Sequence, residues 1–275
     1  MGIRFAIAGL LLFALIGATK GKAEFRIPRP EIISAAILGF VTLGFGIGNV
    51  AVSSKHVPTG VVSLIIAALP LWIALFRSIA RERIAFRTWV GTLIGFCGVV
   101  ILIKPGSIES VSGVDSSTLF FYMAMVLLGN IGWALGTYLA PLFPIPKNSL
   151  LFTAIEMLAG GIALTIAGVV KGETFSDFLD ASTSSWIWFW YLVLVGSIAA
   201  YSAYLWLVMN APVSLTATYA YVNPVIAVLL GVLFLNESIT LNYAIGGTII
   251  ILGVLTVVSS ESKSKRTPKV EPTLS

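Results

Sequence analysis

One carboxylate lies inside an apolar stretch of this sequence, where a charged group is unusual. Glu156 follows about six residues after the start of an apolar run that begins at Leu150. If that run crosses a bilayer, an ionised group at this depth costs about 2–3 kcal/mol, so it must face a bundle interior and have a partner or a role. Two interpretations are open. Glu156 is a proton-coupling or substrate-amine site, or it is an interhelical polar tether to Arg4 or Tyr221.

Aromatic and hydrogen-bonding side chains in other apolar runs offer a second kind of chemistry. Tyr219 and Asn223 are four residues apart, which places them on one face of a helix. Rings with polar tips and side-chain amides suit an amphipathic organic solute, held by stacking and a few polar contacts. The alternative for each ring taken singly is packing or a place in an interfacial belt. The candidate substrate-binding residues are Asn130, Trp133, Tyr201, Tyr219 and Asn223.

Two prolines lie in the middle of apolar runs. Pro70 and Pro224 each remove a backbone donor and free a carbonyl, which bends or breaks a helix. Such breaks line cavities or act as hinges in transporters, although single prolines are also simply tolerated in membrane helices. Because these two occupy matched positions of a repeat described below, we predict a helix-break or hinge role for both.

Several chemistries lack the residues that they require. The only histidine is His56 and the only cysteine is Cys97, so a Ser-His dyad, a histidine metal site and an intrachain disulfide are not expected. There is no phosphate-binding Gly-rich Lys loop and no Asp-rich pair for Mg²⁺. Basic residues flank the apolar runs instead of forming a patch. We therefore expect no catalytic residue, metal or cofactor, and no nucleic-acid partner.

The elements that position these residues are membrane-spanning helices. Of the 275 residues, 57% are hydrophobic and 11% are charged, against about 25% charged in ordinary soluble domains. The apolar runs are long enough to cross about 30 Å of hydrocarbon. The sequence thus predicts an all-α membrane protein, a helical bundle with nine spans. They are Phe5 to Thr19, Ile32 to Val52, Pro58 to Phe76, Thr88 to Ile103, Leu119 to Ala140, Leu150 to Val170, Trp186 to Met209, Ser214 to Leu235 and Tyr243 to Val258.

The distribution of positive charge orients these spans. With the C-terminus on the cytoplasmic side, alternating connections place 13 of the 17 Lys and Arg residues inside and four outside. The four outside are Arg4, Lys55, Lys104 and Lys171. Cytoplasmic connections of membrane proteins collect Lys and Arg, so this asymmetry agrees with nine spans in the cytoplasmic membrane.

The sequence also contains an internal repeat. Pro58 and Pro70 match Pro212 and Pro224 at an offset of 154 residues, and acidic and glycine landmarks follow at an offset of 155 after a one-residue slip. The later landmarks are Glu82 with Glu237, Gly91 with Gly246, and Gly98 with Gly253. Because an odd number of spans separates the halves, they enter the membrane in opposite orientations. We predict two inverted repeats, alternating access, and close helix packing at Gly91, Gly95, Gly98, Gly246 and Gly253.

The repeat and three motifs resemble the EamA-type drug/metabolite transporters, in particular their YedA-like exporters. The motifs are Ala154-Ile155-Glu156-Met157-Leu158-Ala159, Tyr219-Ala220-Tyr221-Val222-Asn223-Pro224, and Leu230-Gly231 followed by Glu237. The resemblance implies ten spans in two five-span repeats, of which the first span, with its Trp-Gly motif, is expected to be missing here through a late gene start or a truncation. The expected domains are a first repeat over 1–110, a second over 118–259 and a disordered basic cytoplasmic tail over 260–275.

Together these features predict a secondary transporter that exports small metabolites or drugs, with proton coupling as an option. Its partners would be a small-molecule substrate and the lipid bilayer, and homo-oligomerisation is left open. The alternatives are a non-transporting membrane subunit and an intramembrane enzyme acting on lipid-linked substrates. The enzyme lacks support, because no cluster of acids or histidines occurs at one depth.

Overall fold

The computed structural model describes residues 1–82, 84–103, 115–210 and 240–264, together with residues 223, 226–227, 230 and 233–234. Within those ranges the regular structure is entirely helical, and no strand occurs. The all-α prediction is therefore confirmed.

Eight long helices correspond to eight of the nine predicted spans. They are α1 (Gly2–Thr19), α2 (Arg29–Ser53), α3 (Thr59–Ile79), α4 (Phe86–Ile103), α5 (Ser116–Leu139), α6 (Ser149–Val170), α7 (Thr183–Asn210) and α8 (Leu241–Ser264). Six of them are long and apolar enough to cross a bilayer, and α4 and α8 contain shorter apolar stretches. The predicted span Ser214 to Leu235 lies mostly outside the described residues, so the total of nine stays a prediction.

Helices α2 and α7 each contain a π-helical segment between two α-helical ones. In α2 the π-helical segment is Phe40–Ile47, and in α7 it is Leu192–Tyr201. Helix α2 begins 154 residues before α7, and the two π-helical segments end 154 residues apart. This spacing equals the offset found in the sequence repeat. Long π-helical segments are rare and frequently occur at functional sites.

Helix α3 is interrupted where Pro70 was predicted to break it. Its α-helical parts are Thr59–Ala67 and Leu69–Ile79, and Pro70 lies in the first turn of the second part. The N–H of Ala68 donates to the Ile65 carbonyl, and the N–H of Leu71 donates to the Ala68 carbonyl. In each of these hydrogen bonds the donor and acceptor are three residues apart, as in a 3₁₀ turn. These tighter turns accommodate the missing N–H of proline. The equivalent Pro224 lies outside the described residues.

The chain divides into two compact units. Unit 1 comprises residues 1–55 and 125–212, and unit 2 comprises residues 56–124 and 213–275. Helix α5 starts in unit 2 and continues in unit 1.

In unit 1, α1 packs against α6 in antiparallel orientation through small residues. A Cβ atom on Gly2 would lie 2.4 Å from the Thr165 hydroxyl, and one on Gly9 would lie 2.9 Å from Leu158. Higher numbers on α1 therefore face lower numbers on α6, and there is no room for a side chain at the crossing. Close approach through small residues is the usual way for helices to associate within lipid.

In unit 2, α4 packs against α8 in the same manner. A Cβ atom on Gly91 would lie 2.8 Å from the Gly253 carbonyl, and one on Gly98 would lie 2.9 Å from the Gly246 carbonyl. The predicted packing role of these glycines is confirmed. Because Gly91 matches Gly246 and Gly98 matches Gly253 in the repeat, each contact is the counterpart of the other, as across a two-fold axis.

Two helix starts are fixed by side-chain caps. The Asn148 side chain accepts a hydrogen bond from the Leu150 N–H at the start of α6 and donates one of 2.7 Å to Glu24 Oε2. At the start of α5, hydrogen bonds from Ser117 and Thr118 hold the pKa of the exposed Asp115 carboxyl well below its usual range. Such caps satisfy backbone donors that the first helical turn leaves free.

Candidate functional site

Glu156 lies in the most enclosed part of α6. All seven residues from Leu151 to Met157 are buried, so this stretch is covered on every side, and Glu156 is only 1% exposed. The prediction that this carboxylate faces the bundle interior is confirmed. A buried carboxylate requires hydrogen-bond partners, because burial without them is costly.

The partner of Glu156 is Tyr201, at the end of the π-helical segment of α7. The Tyr201 hydroxyl donates a hydrogen bond of 2.6 Å to Glu156 Oε2, and Tyr201 is 5% exposed. Of the two tether partners considered from the sequence, Arg4 instead places its guanidinium 4.3 Å from the centroid of its neighbour Phe5, and Tyr221 lies outside the described residues. Tyr201, which was predicted as a substrate-binding residue, is therefore the side chain that tethers Glu156.

A second hydroxyl extends this polar group to α2. Thr42, within the π-helical segment of α2, has its Oγ1 3.4 Å from the Tyr201 hydroxyl. Thr42 also donates a hydrogen bond of 2.7 Å to the Leu38 carbonyl. The Glu156–Tyr201–Thr42 chain, as we call these three side chains, thus connects α6, α7 and α2. Thr42 was not among the sequence-predicted site residues.

Glycines fix the backbones around this chain. A Cβ atom on Gly39 of α2 would lie 2.3 Å from the carbonyl oxygen of Glu156 and 2.5 Å from its Cα. One on Gly136 of α5 would lie 2.1 Å from the Thr42 methyl group. Only glycine at these positions allows α2 to approach α6 and α5 so closely, so Gly39 and Gly136 fix where the helix that carries Thr42 lies.

Three aromatic rings lie beside the chain and form the aromatic cluster of Trp133, Tyr201 and Tyr204. Their centroids are 5.6 to 6.0 Å apart, within the range of favourable aromatic pairs. Trp133 Nε1 donates a hydrogen bond of 2.9 Å to the Tyr204 hydroxyl, whose oxygen is 2.6 Å from Thr137 Oγ1. The structure therefore brings together two of the predicted substrate residues, Trp133 and Tyr201.

The other predicted substrate residues are placed differently. Asn130 is buried one turn before Trp133 on α5. Asn223 is helical and exposed, and Tyr219 lies outside the described residues. For all five residues, Trp133 and Tyr201 included, the substrate-binding role stays a prediction.

Two buried serines flank Tyr201 on α7. The hydroxyl oxygens of Ser197 and Ser202 have no hydrogen-bond partner among the described residues. Ser197 is four residues before Tyr201, about one turn away, and Ser202 follows it directly. Unpaired buried hydroxyls on either side of Tyr201 in the sequence leave polar positions that a solute or water can satisfy.

A bundle of apolar helices that encloses a carboxylate and aromatic side chains defines a multi-pass membrane protein, and comparison with known proteins identifies its kind. The EamA-like transporter family matches residues 1–104 and 120–259. The chain belongs to this family and is a multi-pass protein of the cytoplasmic (inner) membrane.

Individual relatives agree with this assignment. The uncharacterized inner membrane transporter YedA of Escherichia coli (strain K12) is 32% identical over 274 residues, which cover 99% of this chain and 85% of YedA. The uncharacterized transporter YvbV of Bacillus subtilis (strain 168) is 25% identical over 96% of this chain and 83% of its own length. A solved structure with 19% identity superposes with a TM-score of 0.65, covers 93% of this chain and 85% of its own, and shows the same fold.

Proposed function

We propose that this membrane transporter is a secondary transporter that exports small metabolites or drugs by alternating access, with Glu156 coupling export to protons. The observation that carries the proposal is the Glu156–Tyr201 hydrogen bond of 2.6 Å in the enclosed part of unit 1. We further propose two EamA-like repeats, over 1–110 and 118–259, and a basic tail over 260–275.

Alternating access is supported by pairs of matched helices within each unit. Helices α1 and α6 are equivalent in the repeat and cross in antiparallel orientation, as do α4 and α8. Such crossings are what two inverted repeats produce, and inverted repeats are common in transporters that expose one site to either side in turn. The break of α3 at Pro70 and the π-helical segments of α2 and α7 provide positions where helices can bend.

Proton coupling is supported by the environment of Glu156. The carboxylate is buried, and in the described part of the chain it forms no ion pair with a Lys, Arg or His. A carboxylate held by a hydroxyl rather than by a cation can gain and lose a proton without leaving a buried cation uncompensated. Intramembrane carboxylates of this kind commonly serve as proton relays in transporters.

The aromatic cluster supports an amphipathic organic solute as substrate. Its rings offer stacking surfaces, and the hydroxyls of Ser197 and Ser202, which have no partner in the described part of the chain, offer polar contacts on α7. An amine on the solute would be attracted by both the ionised Glu156 and the faces of the rings. Solute and proton would then compete for one carboxylate, which is a simple basis for exchange.

The test is solute flux in proteoliposomes containing the purified protein. A panel of radiolabelled amphipathic organic solutes, with and without an amine, is measured with and without an imposed pH gradient. We expect gradient-driven accumulation in the wild type and its loss in Glu156→Gln, which keeps the size and a hydrogen-bonding oxygen. Glu173→Gln, an exposed carboxylate after the end of α6, is the matched control.

Three outcomes decide the proposal. Accumulation that depends on the gradient and on Glu156 supports it. Gradient-driven accumulation that survives in Glu156→Gln removes the coupling role. If no solute of a broad panel crosses the membrane faster than in protein-free liposomes, the alternative of a non-transporting subunit is favoured.

A further inference from the structure

The hydroxyl protons of the Glu156–Tyr201–Thr42 chain can be counted. The Thr42 proton is committed to the Leu38 carbonyl at 2.7 Å. Tyr201 has one proton and two acceptors within reach, Glu156 Oε2 at 2.6 Å and Thr42 Oγ1 at 3.4 Å. A single hydroxyl proton forms a good hydrogen bond to only one of them. The chain therefore has two arrangements, and in the observed one the proton points to Glu156.

A neighbouring pair shows the second arrangement already formed. Thr137 donates its proton to the Trp133 carbonyl at 2.8 Å, as Thr42 does to Leu38. The Tyr204 hydroxyl lies 2.6 Å from Thr137 Oγ1, so its own proton points to the threonine oxygen. Tyr204 lies close to its threonine oxygen, at 2.6 Å. The Tyr201 hydroxyl bonds the Glu156 carboxylate instead, and its distance to the threonine oxygen is 0.8 Å longer than that of Tyr204.

We propose that Tyr201 is a positioning residue that switches its hydrogen bond from Glu156 to Thr42 when Glu156 takes up a proton. This proposal rests on the proton coupling proposed above. A hydronium ion gives its proton to Glu156 Oε2: one O–H bond of the hydronium breaks, which leaves water, and one O–H bond forms on Glu156, which then donates to the Tyr201 oxygen. No O–H bond of the protein breaks, because Tyr201 only rotates its hydroxyl toward Thr42. The same three oxygens are satisfied in both arrangements.

The switch would connect protonation to helix packing. Tyr201 ends the π-helical segment of α7 and Thr42 lies in that of α2. With Glu156 ionised, α7 is bonded to α6. With Glu156 protonated, α7 is also bonded to α2, and the 3.4 Å separation shortens. Protonation of Glu156 would in this way change the packing between the π-helical segments of α2 and α7.

The groups that face Glu156 leave Tyr201 as the one strong hydrogen-bond donor to it in the described chain. Helices α1, α2 and α7 pack against α6. Helix α1 presents apolar side chains, and its only charged residue, Arg4, is level with Gly161, more than one turn from Glu156. The charged residues of α2, Arg29 and Glu31, lie in its first turn. Helix α7 carries no charge, and its titratable side chain closest after Tyr201 is Tyr204.

The test is infrared spectroscopy of the full-length protein in lipid vesicles during a pH titration. The carbonyl band of protonated Glu156 is identified by its loss in Glu156→Gln, and its midpoint is measured in each variant. Thr42→Val removes an acceptor used only in the protonated arrangement, so the midpoint should fall by about 0.7 pH unit. Tyr201→Phe removes the charge-assisted bond of the ionised arrangement, so the midpoint should rise by about 1 pH unit.

Matched variants separate the switch from general loosening. Thr92→Val, in unit 2, removes a buried hydroxyl that donates to the carbonyl four residues earlier, as the Thr42 hydroxyl does. Tyr122→Phe removes a tyrosine hydroxyl in unit 2. Both should leave the midpoint unchanged. Thr42→Ser, which keeps the acceptor, should restore the wild-type midpoint.

The outcomes distinguish this inference from the proposed function. Opposite shifts for Thr42→Val and Tyr201→Phe support the switch. Shifts in the same direction, no shift for Thr42→Val, or a carbonyl band that does not titrate would overturn it, even if flux still requires a pH gradient and Glu156. If the opposite shifts appear but flux is independent of the gradient, the switch stands and the proton-coupling proposal fails.

Discussion

Gly39→Ala should disturb the candidate site without changing any of its polar groups. The added Cβ would lie 2.3 Å from the Glu156 carbonyl oxygen and 2.5 Å from its Cα. Ordinary contacts of a Cβ begin near 3.4 Å. Backbone atoms of a helix cannot rotate away as a side chain can, so α2 and α6 must separate by about 1 Å at this level.

The cost follows from two opposing terms. Overpacking of a well-packed interior costs about 1–3 kcal/mol. Replacing glycine by alanine within a helix favours the folded state by up to about 1 kcal/mol. Gly17→Ala on α1 is a suitable control, since its Cβ would lie 3.6 Å from the Phe25 ring, an ordinary contact. The two variants should therefore differ by about 1–3 kcal/mol in free energy of unfolding, with Gly39→Ala the less stable.

The assay is unfolding of the purified protein in detergent micelles, followed by tryptophan fluorescence, together with the infrared titration of Glu156. A separation of 1 Å is large beside a hydrogen bond of 2.6 Å, so Gly39→Ala should also shift the Glu156 midpoint, whereas Gly17→Ala should not. A Gly39→Ala protein that is as stable as Gly17→Ala and titrates like the wild type would show that α2 and α6 are not in close contact at Glu156.

Two further substitutions test the helix starts and the second unit. Asn148→Ala removes both the cap to the Leu150 N–H and the hydrogen bond to Glu24, so the free energy of unfolding should fall by about 1 kcal/mol. Glu24→Gln keeps an acceptor oxygen for Asn148, so it should lower the free energy of unfolding by less. Gly253→Ala places a Cβ 2.4 Å from the Gly95 nitrogen, so its free energy of unfolding should be about 1–3 kcal/mol lower than that of the control Gly17→Ala. Equal stability of these two variants would contradict the α4–α8 contact.

The helices and the burial of Glu156 could be predicted because they depend on local composition. A run of apolar residues has one stable solution in lipid, a helix whose backbone bonds are internal. Eight such runs correspond to helices here, and their ends differ from the predicted ones by a few residues. The burial of Glu156 follows from the same solvent argument, since a carboxylate cannot face hydrocarbon. Repeat-matched glycines likewise indicated close packing.

The connections within the site could not be predicted, because they join residues far apart in sequence. Thr42 and Tyr201 are 159 residues apart, and Tyr201 and Glu156 are 45 apart. Hydropathy indicates that each run is helical but not which face meets which neighbour. Nor does it distinguish an α-helix from a π-helical segment, whose wider turns depend on the packing around them. Tyr201 was therefore predicted as a substrate-binding residue and not as the hydrogen-bond partner of Glu156.

Alternating access as proposed requires the two repeats to have opposite orientations, and cysteine labelling tests this directly. Lys20 and Thr174 are repeat-equivalent, exposed positions that follow the matched helices α1 and α6. Each is replaced by cysteine in a chain whose Cys97 is changed to serine, and intact cells are treated with a membrane-impermeant maleimide. We expect Thr174→Cys to be labelled from outside and Lys20→Cys only after the cells are opened. Labelling of both positions from the same side would contradict inverted repeats, and alternating access built on them.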